Sequence, residues 1–233
     1  MTTPTPIRGI SSMATRALLA ELATAYAARS GGAAVAFESV GGVDAAKRVA
    51  AGETFDVVVL ASDAIDKLIA AGAVNGGRVD LVRSPVALAV PAGAARSDIG
   101  DEAAVRAAVL AAKTIGYSTG PSGTFLMSLF ERWGIADELR ARTVQAPAGV
   151  PVGSLVARGE VALGFQQYSE LKDLPGIDVL GLLPPAIANI TTFSGAVCRT
   201  AAHPEAAAAL LAYLVSNDTV AVKRRHGMEG TQT

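Results

Sequence analysis

Four loops of this chain carry small or hydroxyl residues and no charge, and each stands between an apolar run and a helical pattern. They are Gly9 to Met13, with Ser11 and Ser12; Ser39 to Val43, with Ser39 and Gly41; Ser118 to Thr124, with Ser118, Thr119, Ser122 and Gly123; and Ala148 to Gly153, with the backbone amides of Val150 and Val152. Tyr168 stands just past a further apolar run. A helix N-terminus has unpaired N–H groups and a partial positive charge, so an anion rests there without a lysine. Glycines let it come close to the backbone. The chemistry expected is the holding of a small oxyanion or carboxylate by neutral donors. The plainer alternative is that each loop only caps its own helix.

Other chemistries lack their residues. There is no phosphate-binding GxxxxGK loop, no GxGxxG opening a helix and no GxSxG nucleophile turn. His203 and His226 are the only histidines, far apart and outside any ligand spacing, so no metal is expected, and no cofactor. Cys198 is alone, which excludes an internal disulfide; in TTFSGAVC it reads as a small core residue. The net charge is −1 and no basic cluster is interleaved with aromatics, so a nucleic-acid partner is not expected. No uninterrupted apolar run reaches the roughly 18 residues of a membrane span, so no membrane insertion is expected. The start, MTTPTPIRGISSM, lacks a basic segment followed by an apolar one. The expected location is therefore cytoplasmic as the sequence stands, and periplasmic if a signal has been removed.

The loops need a sheet behind them. FDVVVL (Phe55 to Leu60) is apolar throughout and bounded by turn signals, as expected of a strand buried on both faces in a parallel sheet. Ile7 to Ile10 and Ala33 to Glu38 read as strands before it. Helices with Leu18, Leu19, Leu22 and Tyr26, with Val43, Ala46 and Val49, and with Ile65, Leu68 and Ile69 complete three βα units. Ser11 and Ser12, and later Ser62 and Asp63, stand where caps belong, and Ser30-Gly31-Gly32 stops the first helix. Leu81 to Val90 is a strand broken by Pro85, an edge or a bend. Asp101 to Ala112 follows as a helix; Ile115 to Trp133 then reads as strand, loop and helix. A short helix follows near Ala136 to Arg142, and Pro151 opens another helix as its first residue. Strands are expected at Ala162 to Phe165, Ile177 to Leu183 and Thr191 to Cys198. A helix from Pro204 and a basic turn, Lys223 to His226, close the chain.

The stretches GISSMATRALLAELATAYAARSG, FESVGGVDAAKRVAAGETFDVVVLASDAIDKLIAAGAV, VALAVP, GYSTGPSG, VARGEVALGFQQYSEL and TTFSGAV together resemble the molybdate-binding type of periplasmic solute-binding protein, including its aconitate isomerase-like offshoot. The resemblance implies an α/β fold of two-lobed, type II architecture, each lobe a mixed, mostly parallel sheet flanked by helices, with the ligand cleft between lobes. It places one lobe at 1–84 with 192–233 and the other at 85–191. It implies anion contacts from Ser11 or Ser12, from Ser39, near Ser122, from a backbone N–H near Val150 to Val152, and from Tyr168. A departure is Pro151, which removes an N–H. Another is the surplus of hydroxyls in the Ser118 loop, which suits a flatter guest such as a polycarboxylate. The partner implied is a small anionic ligand, with an ABC permease only for an exported protein. An aconitate isomerase moves a double bond by an allylic proton shift, which needs a general base and donors for the developing charge. Tyr168 and Glu38 are the expected proton-exchanging pair, with Lys47 or Arg16 to neutralise carboxylates.

Overall fold

Val57, Val58, Val59 and Leu60 are all fully buried, and they face two different cores. Val57 and Val59 join Leu18, Leu19, Leu22, Leu210 and Leu211; Val58 and Leu60 join Val49, Phe55, Ile65 and Leu68. That alternation is what a strand with helices on both faces requires.

The protein is described by a computed structural model over residues 6–29 and 34–231. The expected helix stop at Ser30-Gly31-Gly32 lies outside the described residues. In chain order the elements are β1 (Ile7–Ser12), a 3-10 turn (Met13–Thr15), α1 (Arg16–Arg29), β2 (Val35–Val40), α2 (Gly42–Ala50), β3 (Val57–Ala61), α3 (Ser62–Ala70) and β4 (Val74–Pro91). Next come α4 (Glu102–Ala111), β5 (Ile115–Tyr117), α5 (Pro121–Arg132), α6 (Ala136–Leu139), β6 (Thr143–Gln145), α7 (Val152–Ala157), β7 (Leu163–Gln167), α8 (Tyr168–Leu171) and β8 (Ile177–Leu182). The chain ends with β9 (Ile190–Cys198), α9 (Pro204–Leu214), α10 (Val220–Arg225) and β10 (Glu229–Gly230).

Two compact units result, Met1–Arg83 with Thr192–Thr233, and Ser84–Thr191. In the first the strand order is β2-β1-β3-β9-β4, with β10 on β4. There β1 is parallel to β2 and β3, while β9 runs antiparallel to β3. In the second the order is β4-β7-β5-β6, with β8 also on β4; β5 is parallel to β6 and β7, and β4 is antiparallel to β7 and β8. Val86, Leu88 and Val90 of β4 pack with Val105, Leu126, Phe130 and Phe165. The intervening Ala87 and Ala89 face Leu171 on the other side. The fold is thus α/β, with parallel and antiparallel pairing mixed and helices flanking the strands.

Several local expectations are corrected. Pro85 does not interrupt its strand; β4 runs through it for 18 residues. Neither Ser12 nor Ser62 caps a helix by its side chain. The Ser62 hydroxyl instead donates to Thr192 O at 3.0 Å and pairs with Ser194 Oγ at 2.7 Å. Pro151 is the N-cap of α7, not its first helical residue, so the lost N–H is not one the helix would have offered. The expected basic turn is the last turn of α10, where Lys223 is buried and desolvation lowers its pKa to about 8. No helix among the described residues is long and apolar enough to cross a membrane.

Candidate functional site

In the first unit the in-register pairing of β1 with β2 sets Ser11 opposite Ser39 and Ser12 opposite Val40. Parallel strands bring their following loops out at the same sheet edge, so the Ser11-Ser12 and Ser39-Gly41 turns are neighbours. The Ser11 and Ser39 hydroxyls lie 2.8 Å apart, and Ser11 Oγ also donates to Ser12 O at 3.3 Å. Ser12 Oγ is buried with no hydrogen-bond partner. A buried hydroxyl left unpaired is costly unless something supplies its bond. Gly41 is the N-cap of α2, and a Cβ placed on Gly42 would meet Ser12 Cβ at 3.6 Å, so the two turns touch. Ser39 also borders a hollow of about 370 Å³ with Arg16, Phe37 and Val35. Arg16 is exposed at the start of α1, whereas Lys47 is exposed on α2 and does not line the hollow.

In the second unit β5 lies between β6 and β7, all parallel, so the Ser118 loop, the loop before α7 and Tyr168 each follow the end of one of three adjacent strands. Ser118 Oγ accepts the Gly120 N–H at 3.2 Å and lies 3.0 Å from Ser122 Oγ. The N–H groups of Gly123 and Thr124 both go to Gly120 O, at 3.0 and 3.2 Å. Much of the loop's polarity is therefore spent on its own shape; the exposed Thr119 hydroxyl is the outward group. The Val150 N–H is committed to Pro147 O at 3.0 Å. The Val152 N–H, at the first position of α7, has no partner among the described residues. Tyr168 opens α8 half-buried, packed against the cluster of Ala87, Ala89 and Leu171.

Glu38 is a different matter. Both its oxygens are taken by Arg48, with Nη2 to Oε2 at 2.9 Å, and Arg48 also binds Glu53. The hydrogen bonds from Arg48 hold the Glu38 carboxyl below the usual glutamate range. A carboxylate so paired on an exposed strand is a poor proton acceptor, which is at odds with the expected exchange between Glu38 and Tyr168. Cys198 is fully buried, and burial, then the charge of Asp56, pushes its thiol up to about 12; it is no nucleophile.

One acid escaped the sequence reading. Glu170, in α8, accepts from Gln166 Nε2 at 2.7 Å, and Gln166 Oε1 accepts the Gly153 N–H at 3.2 Å. The signal was present in Gln166-Gln167, two amides at the end of an otherwise apolar strand, which must be satisfied where they are buried.

Residues 7–229 match the family model of the bacterial extracellular solute-binding proteins. An aconitate isomerase of Pseudomonas sp. is 43% identical over 184 residues, 78% of this chain and 70% of that protein. The periplasmic molybdate-binding protein of Azotobacter vinelandii has the same fold at 19% identity, with a TM-score of 0.81 over 97% of this chain and 100% of its own. The sulfate-binding protein of Mycobacterium tuberculosis H37Rv superposes with a TM-score of 0.77 at 17% identity, over 98% of this chain and 88% of its own.

Proposed function

The chain belongs to the bacterial extracellular solute-binding protein family, and within it we propose that this protein is a cofactor-free isomerase of a small unsaturated di- or tricarboxylate, working by an allylic proton shift as between the aconitates. The observation that carries the reading is the 43% identity to an aconitate isomerase over 78% of the chain. The loops supply the matching chemistry. When a methylene proton leaves, the electron pair spreads through the double bond into a carboxylate as a dienolate. Fixed neutral donors that tighten on that growing charge favour the transition state over the ground state. In the first unit the unpartnered Ser12 Oγ, and in the second the exposed Thr119 hydroxyl and the Val152 N–H, are donors of this kind, while the Ser11 and Ser39 hydroxyls bond each other beside Ser12. Gly41, Ser118, Ser122, Gly123 and Val150 shape the turns around them. Tyr168 contributes a phenol at the first position of α8. The proton returns to the far carbon of the allyl system, so substrate and product are isomers and no redox partner is needed.

A second reading, a non-catalytic receptor or sensor for a small oxyanion, is favoured by the fold shared with molybdate- and sulfate-binding proteins. A thermal-shift panel separates the two. cis- and trans-Aconitate are expected to raise the unfolding temperature, with a stabilisation that grows as the logarithm of ligand concentration and reaches about 2.7 kcal/mol at a hundredfold excess over the dissociation constant. Molybdate, tungstate and sulfate are expected to do nothing. Stabilisation by molybdate and tungstate alone would replace the isomerase reading with the receptor.

A further inference from the structure

Gln166 and Glu170 form a short relay in the second unit whose parts all point one way. Gln166 is 2% exposed near the end of β7. The Gly153 N–H, in the first turn of α7, can only donate, so the Gln166 oxygen must face it and the amide nitrogen must face Glu170. Glu170 Oε1 is thereby fixed at 2.7 Å from Gln166 Nε2, two residues along α8 from Tyr168. Among the described residues nothing donates to Oε2.

Among the described residues no cation answers this carboxyl. Of the strands packed against α8, β7 carries no ionisable residue, and Asp178 of β8 accepts the Gly93 N–H. The segment of α7 is likewise uncharged, as is β4 from Ser84 to Pro91. Lys172, just past α8, is paired with Asp173, and Tyr168 is the remaining titratable group on the helix. The contrast within the chain is sharp: Glu38, Glu53 and Glu160 are each held below the usual range by hydrogen bonds from arginine.

We propose that Glu170 is the proton carrier of the allylic shift, its open Oε2 taking the proton from the substrate's methylene carbon and returning it to the far carbon of the allyl system, with Gln166 as the positioning residue. The assignment rests on the isomerase reading. The C–H electron pair becomes the new double bond, the old double bond opens toward the carbon that receives the proton, and nothing else is consumed. Burial raises the Glu170 carboxyl to about 7, opposed by the Gln166 hydrogen bond. A base poised near neutrality both accepts and returns a proton readily.

Glu170→Gln keeps the shape and still accepts from Gln166, so it removes the proton site and little else. Aconitate interconversion by the wild-type protein should show a kcat that rises with pH about a midpoint near 7. The variant should lose about a hundredfold or more in kcat, with KM within about threefold, and should lose the rising limb. Glu170→Asp should keep the limb at reduced rate. A readout without substrate runs alongside. The folded-state pKa lies above the unfolded one, so between pH 4.5 and about 7 the folded protein binds more protons, and wild-type stability relative to Glu170→Gln should fall as pH rises through that window. Wild-type turnover that Glu170→Gln leaves within threefold, or parallel stability curves, would overturn the assignment alone. A wild-type protein that converts no unsaturated acid would overturn the isomerase reading and the assignment with it.

Discussion

Gly123→Ala is expected to destabilise the protein by about 2–3 kcal/mol and to abolish the thermal shift with aconitate, while Gly120→Ala, in the same loop, changes stability by less than about 1 kcal/mol. The two glycines differ in what surrounds them. A Cβ on Gly123 would sit 1.8 Å from Ser118 O and 2.8 Å from Ser118 C, so main chain must move. A Cβ on Gly120 would meet only Ser118 Oγ, at 3.5 Å, an ordinary contact. Neither glycine has a positive φ, so the difference is one of space and not of backbone preference. The displaced residue is the one that organises the turn: Ser118 Oγ takes the Gly120 N–H and pairs with Ser122. Urea unfolding of the two variants, with ligand shifts measured in parallel, checks both halves. Equal stability for the two would contradict the close packing of α5 against its loop.

The second large effect lies away from the loops. Asp56 is 4% exposed, at the turn into β3. Its Oδ2 accepts the Arg8 N–H at 2.8 Å and its Oδ1 accepts the His203 N–H at 3.0 Å. One carboxylate therefore ties β1, the entry to β3 and the N-cap of α9. Asp56→Ala strands two backbone donors at once, and with each buried unsatisfied group worth about 1–3 kcal/mol the loss should be about 3 kcal/mol. Asp56→Asn should recover part of it, since an amide oxygen serves one donor while its NH2 opposes the other. Chemical denaturation at neutral pH reads the difference, and an alanine variant as stable as wild type would show that these bonds are dispensable. Because Arg8 belongs to the strand that delivers Ser11, loss at Asp56 should also weaken ligand binding at a distance.

How much of this was legible in the sequence follows from where each cause lies. FDVVVL could be read because its burial on both faces follows from an apolar run alone. The loop at Ser118 could be read because glycine, proline and hydroxyls punctuate a strand and a helix within a few residues. The beginning of β4, Asn75-Gly76-Gly77-Arg78, could not: it carries no apolar pattern, and it belongs to a strand bordered by β9 and β10, which the local sequence does not display. Glu38 looked available at its strand end, yet Arg48, on α2, closes on it. Glu170 stands in no motif of the sequence. Its standing depends on Gly153, 13 residues before Gln166, and on an absence of cations over several elements. Local order was readable; partnerships across the fold were not.

Purified protein mixed with trans-aconitate and followed by proton NMR tests the isomerase reading most directly. Catalytic accumulation of cis-aconitate, reaching the same equilibrium mixture from either isomer, is the predicted result. Spectra that stay unchanged at high protein concentration, with a thermal shift for molybdate or tungstate in its place, would contradict it.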